Sequence, residues 1–163
     1  MSEKELAVLK EAIINENEGY EFYRMAAEKA ENKEAKEAFH QLAEEELKHK
    51  NWLKDMYVKI QKGKSEDFDL EEISVPESPH VFEWENASPA GCSLPVSVYG
   101  IGVKMEKESI DYYKRAAKKA EVPEAKVLYE SLVKWESRHL EDFQEQYEEL
   151  KNNWWREQRF EPF

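Results

Sequence analysis

Apolar residues recur at intervals of three and four along four segments of the chain, the spacing that places side chains on one face of an α-helix. These segments cover about residues 3–30, 33–61, 96–120 and 123–152. Ser2 and Glu5 have the spacing of a capping box before the first segment. Gly63 follows the second segment, and Pro123 opens the fourth. The pattern predicts an all-α fold.

The sequence between the second and third helices has a different character. It is interrupted by four prolines, Pro76, Pro79, Pro89 and Pro95. A connection of more than 30 residues is too long for a tight turn and suits a crossover along a bundle. We expect one domain, 1–163, in which antiparallel hairpins at about 3–61 and 96–152 form a four-helix bundle. The crossover is about 62–95, and an aromatic tail, 153–163, follows.

The chain also contains an internal repeat. Residues 16–49 align with residues 106–139 without a gap, at a constant offset of 90, and 14 of the 34 aligned positions are identical. Each copy covers most of one helical hairpin, so the bundle is predicted to consist of two related halves.

Each predicted helix carries one glutamate within its apolar stripe: Glu16, Glu46, Glu106 and Glu136. Two of these helices add a histidine three residues later, His49 and His139. Around Glu46 the same face holds Ala35, Phe39, Leu42, Leu53 and Ile60. All six polar residues are therefore predicted to point into the core.

Four carboxylates in one apolar core could not all remain ionised alone, since burial and mutual repulsion both disfavour the charged form. Bound divalent cations remove this conflict, and four glutamates with two ExxH pairs form the ligand set of a dinuclear carboxylate centre. One ExxH in a glutamate-rich helix is weak support, but six matched positions in a gapless repeat favour metal binding. Glu44 and Glu45 fall off the stripe and are predicted to be exposed. Tyr23 and Tyr113 could be core aromatics or hydrogen-bond donors to the ligands.

Composition narrows the functional classes. The chain has a formal charge of −12 and a pI of about 4.9, which disfavours nucleic acid or an anionic membrane as partner. Cys92 is the single cysteine, so an internal disulfide and CxxC metal sites are excluded, and we expect an inert thiol. The N-terminus lacks an apolar signal region and no run of 18 apolar residues occurs, so a cytoplasmic location is expected.

The remaining histidines, the tryptophans and the C-terminal tail are not assigned to the metal site. His40 and His80 are predicted to be exposed, in a helix and in the crossover respectively. Trp52, Trp84 and Trp135 are expected to pack the bundle or a subunit contact, and the tail to form a latch or an oligomer contact.

The two hairpins resemble the rubrerythrin branch of the ferritin-like superfamily. The motif E-x6-Y-x3-A-x2-A carries this resemblance at 16–30 and again at 106–120, together with the two ExxH pairs. The resemblance implies a ferritin-like bundle with two iron ions, or alternatively manganese or zinc. Glu46 and Glu136 would bridge the metals, and Tyr23 and Tyr113 would bond to ligands. The terminal ligands would be Glu16, Glu106, His49 and His139.

The same resemblance implies a reaction with O2 or H2O2 during oxidation of Fe2+. The sequence departs from the family pattern in two ways that bear on this reaction. Ser109 stands where peroxide-reducing members have an additional glutamate, and the CxxC pairs of a rubredoxin domain are missing. The ligand set also resembles that of bacterioferritin, but no fifth helix is recognisable. We therefore expect a separate electron donor and a homodimer. The alternatives are a non-catalytic metal-binding bundle or partner module, and a purely structural bundle.

Overall fold

The computed structural model describes residues 2–31, 33–73 and 96–158. Its helices are α1 (Ser2–Lys29), α2 (Lys33–Gln61), α3 (Val96–Lys119) and α4 (Pro123–Glu157). A short 3₁₀ turn, Ser65–Asp67, follows α2, and the described residues contain no strand. The predicted all-α four-helix bundle is confirmed. The positions of His80, Trp84 and Cys92, with most of the predicted crossover, lie outside the described residues.

The helices pack as two hairpins, α1 along α2 and α3 along α4, and the hairpins meet through α1 against α3 and α2 against α4. None of the helices in the described part of the chain is long and apolar enough to cross a membrane.

Local sequence explains two helix ends. Gly63 has a φ of 66°, which glycine adopts without the steric penalty of a Cβ atom. Its N–H donates to the Ile60 carbonyl at 3.1 Å, and the Lys64 N–H donates to the Lys59 carbonyl at 2.9 Å. This is a Schellman motif, and it ends α2. At the start of α4, Pro123 occupies a first-turn position after the extended residue Val122.

The last helix is longer than predicted. α4 continues to Glu157, so Trp154 and Trp155 belong to the helix instead of to a separate tail. Both indoles are about half exposed, at 48% and 52%. Their role in a latch or an oligomer contact stays a prediction.

The apolar core consists of two clusters. One cluster lies at the end of the bundle where α1 begins and includes Leu9, Met56 and Leu128. The second lies near the opposite end and includes Ala27, Phe39, Leu42, Tyr99 and Phe143. In every helix the predicted metal-ligating residues lie between the residues that contribute to the two clusters. A polar layer therefore divides the core at mid-bundle.

Glu5 is a buried polar residue at the end of the bundle where α1 begins. Its carboxylate accepts hydrogen bonds from the Tyr129 hydroxyl at 2.7 Å and from the Glu121 N–H at 2.9 Å. The side chain of Ser2, the other residue of the predicted capping box, lies outside the described residues. The Glu5 carboxylate bonds to α4 and to the α3–α4 connection. Glu5 thus ties the first hairpin to the second.

Replacing Glu5 tests this link. In Glu5→Ala the Tyr129 hydroxyl and the Glu121 N–H lose their acceptor, so we expect the free energy of unfolding to fall by about 1–3 kcal/mol. Urea denaturation followed by circular dichroism measures it. Glu3→Ala is the matched control, since exposed Glu3 lies in the same first turn and makes a similar helix-dipole contribution. Equal losses in both variants would contradict the assignment to the hydrogen bonds.

Candidate metal centre

The structure brings all six predicted ligand residues into the polar layer. None of them exposes more than 4% of its surface. They are Glu16 on α1, Glu46 and His49 on α2, Glu106 on α3, and Glu136 and His139 on α4. Helical periodicity produces this convergence, because each residue lies on the inward face of its own helix.

The six residues form two overlapping groups of four. One group contains Glu16 and His49, the other contains Glu106 and His139, and both contain Glu46 and Glu136. Within each group one potential ligand atom per residue lies within 4.8 Å of the others. The shared pair of glutamates therefore stands between two equivalent sets of donors.

Each shared glutamate presents a different oxygen to each histidine. His49 Nδ1 lies 3.5 Å from Glu46 Oε2 and 3.0 Å from Glu136 Oε1. His139 Nδ1 lies 3.5 Å from Glu46 Oε1 and 3.4 Å from Glu136 Oε2. Donor atoms that each stand about 2.1 Å from one cation are themselves about 3–3.5 Å apart. The spacing and the mixture of carboxylate and imidazole donors thus fit a metal site.

The two tyrosines connect the hairpins. The Tyr23 hydroxyl of α1 donates to Glu106 Oε1, and the Tyr113 hydroxyl of α3 donates to Glu16 Oε1. The second oxygens of Glu16 and Glu106 are buried and accept no hydrogen bond from the described residues. Each of these carboxylates is held at one oxygen and leaves the other available to a cation.

The pKa values of the four carboxyl groups shift in opposite directions. Burial, followed by the charge of Glu136, raises the pKa of both Glu16 and Glu106 well above its ordinary value. Burial would also raise the pKa of Glu136, but its close contacts with Glu106, His139 and His49 hold it well below that value. Burial and the charge of Glu136 would raise the pKa of Glu46, but its contacts with Glu16 and the two histidines lower it.

The pKa values of both buried histidines are raised, which favours the protonated form. Burial would lower their pKa values, but the surrounding glutamates, in close contact with both rings, raise both well above 6.5. Without metal, protons on the histidines and on Glu16 and Glu106 therefore compensate the negative charge of the cluster. A divalent cation competes with those protons for the same atoms.

The prediction for Glu45 was wrong. This residue was predicted to be exposed, but only 8% of its surface is accessible and its Oε2 lies 2.6 Å from His139 Nε2. The repeat contained a signal for this, because the equivalent position is Trp135, an apolar residue. Glu44 and His40 are exposed, as predicted.

Two tryptophans enclose the other histidine. The rings of Trp52 and Trp135 are both buried, and each has its centroid 5.4 Å from that of His49. The Trp135 Nε1–H also donates to the Ile73 carbonyl at 3.4 Å. The prediction that these tryptophans pack the bundle is confirmed.

A rise in pH should lower the stability of the metal-free protein and increase the stabilisation that a bound metal gives. The raised pKa values of the histidines give stability that is fully present below about pH 6.5 and is lost as pH rises through the folded-state values. Unfolding temperatures should therefore fall from about pH 6 to about pH 8.5 without metal. The increase caused by Zn2+ should be greater at the higher pH, because fewer protons compete there.

Exposed His40 supplies a control for this measurement. His40→Gln should leave the pH dependence of the metal-free protein unchanged, whereas His49→Gln should reduce it. A gain from Zn2+ that is the same at both pH values would contradict competition between metal and protons at the buried cluster.

Comparison with known proteins agrees with the geometry of this site. No curated protein and no solved structure gives a significant match to the chain. Among protein families, the one described as rubrerythrin matches residues 7–147, a span that contains all six candidate ligands and both tyrosines. This match covers most of the chain and both hairpins, and the chain therefore belongs to the rubrerythrin family.

Proposed function

We propose that this protein is a di-iron carboxylate oxidoreductase that reacts with O2 or H2O2 while Fe2+ is oxidised. The observation that carries the proposal is the arrangement of Glu46 and Glu136, each with one oxygen toward His49 and the other toward His139. Such carboxylates can bridge two cations, and their four-glutamate, two-histidine environment offsets the charge of two divalent ions.

The proposed ligand roles follow the two overlapping groups. Glu46 and Glu136 would bridge the ions. Glu16 and His49 would complete one position, and Glu106 and His139 would complete the other. Tyr23 and Tyr113 orient the terminal carboxylates through their hydroxyl groups. Two ferrous ions supply two electrons when bound, which with two protons reduce one H2O2 to two water molecules.

A cavity of about 310 Å³ lies between α1 and α3, and we propose it as the approach for a small oxidant. Asn15, Ser109 and Arg115 contribute to its lining. Asn15 adjoins Glu16 in the sequence, and Ser109 follows Glu106 by one helical turn.

Renewed turnover requires an electron donor. With only one cysteine, the chain has no CxxC pairs of its own to hold a rubredoxin iron. We propose a separate protein or small molecule as reductant, or Fe2+ itself if the reaction is that of a ferroxidase.

The alternative is a bundle that holds metal without redox chemistry. Carboxylate and imidazole ligands also accept manganese and zinc, and metal availability decides occupancy as much as affinity does. The feature in its favour is Ser109, which stands where the resemblance to peroxide-reducing rubrerythrins implies an additional glutamate.

Oxidation of the iron-loaded protein distinguishes these functions. Metal-free protein is loaded with about two equivalents of Fe2+ without oxygen and then mixed with H2O2 or with air-saturated buffer. We expect near-ultraviolet absorption of protein-bound ferric iron to develop faster than in a protein-free Fe2+ solution. Zn2+-loaded protein is the control and should not change.

The same experiment shows which oxidant and which electron donor the protein uses. A faster reaction with H2O2 than with O2 identifies a peroxidase, and repeated oxidation of added Fe2+ without another donor identifies a ferroxidase. Bound iron that stays ferrous with both oxidants would favour the non-catalytic alternative.

A further inference from the structure

One of the two buried histidines is held by a carboxylate from the opposite hairpin. Glu45 on α2 lies with its Oε2 2.6 Å from Nε2 of His139 on α4. The Nδ1 atom of the same ring faces Glu46, Glu106 and Glu136 at 3.4–3.7 Å. A cation at Nδ1 requires that nitrogen to be unprotonated, so the ring proton then lies on Nε2 and is donated to Glu45.

The other histidine lacks this contact. The repeat places Trp135 at the position equivalent to Glu45. Within residues 2–31, 33–73 and 96–158, His49 Nε2 is buried without a hydrogen-bond partner. The rings of Trp52 and Trp135 lie against the imidazole, and neither supplies an acceptor.

The different surroundings of the two Nε2 atoms affect the Nδ1 atoms, which would bind the metal ions. A carboxylate that accepts the outer N–H of a metal-bound histidine fixes its tautomer and orientation and makes the ligand more basic. Loss of such a partner typically lowers metal affinity by about tenfold to a hundredfold. His139 has this support, whereas packing against aromatic rings restricts the His49 ring without fixing its proton.

We propose that Glu45 is a positioning residue for His139 and that, with Trp135 at the equivalent position, the two metal positions are unequal. The position formed by Glu46, Glu106, Glu136 and His139 binds its ion first, and the position that contains His49 binds second. This inference rests on the metal centre of the proposed function, and it adds an order of filling that the nearly symmetric ligand set alone does not predict.

Zinc titration followed by NMR of the imidazole nitrogens tests the order of filling. The chain has four histidines, His40, His49, His80 and His139. His49→Gln and His139→Gln variants assign the two buried rings. At one equivalent of Zn2+ per chain, a tenfold to hundredfold difference in affinity makes the bound signals of His139 exceed those of His49 by about threefold to tenfold. The His139 Nε2–H should also exchange slowly with water.

Variants of Glu45 identify the cause of that preference. Glu45→Ala should remove the preference and expose the His139 Nε2–H to rapid exchange. Glu45→Gln keeps an acceptor oxygen without the charge, so it should retain the order of filling with a smaller ratio. Glu44→Ala is the matched control, since Glu44 is the exposed neighbour on the same helix.

The outcomes separate this inference from the proposed function. Equal occupancy of both positions at one equivalent, or a preference that Glu45→Ala and Glu45→Gln leave unchanged, would overturn the role of Glu45 while the metal centre stands. Failure of Zn2+ to bind either histidine would overturn both. If Glu45→Ala does not fold, the ratio in Glu45→Gln decides.

Discussion

The burial of four carboxylates in one apolar core is the constraint on which the rest of the structure depends. Isolated charges in such surroundings cost several kcal/mol each, and their mutual repulsion adds to that penalty. The buried histidines, the tyrosine hydroxyls and the protons on Glu16 and Glu106 all reduce it. Without metal, protons on the cluster offset its charge, and we expect cations that replace these protons to stabilise the fold further.

The two-hairpin repeat places this cluster at mid-bundle but does not make its halves identical. Tyr23 bonds to Glu106 and Tyr113 to Glu16, each on the opposite hairpin. Glu46 and Glu136 each lie between both histidines. The symmetry ends immediately outside the ligands, where Glu45 contacts one histidine and Trp135 contacts the other. Divergence at one repeat position thus gives chemically different surroundings to two otherwise equivalent imidazoles.

Periodicity in the sequence predicted the helices and the convergence of Glu16, Glu46, Glu106 and Glu136, because an α-helix fixes which residues share a face. It misplaced Glu45, which lies at the margin of the stripe. Whether a marginal residue is buried depends on the neighbouring helix, and in this case His139 of the opposite hairpin supplies its partner. It also missed the role of Glu5, whose partners are more than 100 positions away along the chain. The contacts of Glu5 leave no local pattern in the sequence.

Metal content tests the central claim most directly. Protein expressed in iron-supplemented medium is analysed by inductively coupled plasma mass spectrometry, with the Glu46→Ala/Glu136→Ala double variant prepared in parallel. The proposed centre predicts about two metal ions per chain in the natural protein and their loss in the double variant, which lacks both bridging carboxylates. The absence of metal from both proteins, together with equal or greater stability of the double variant, would contradict a metal centre and leave a bundle with buried, protonated glutamates.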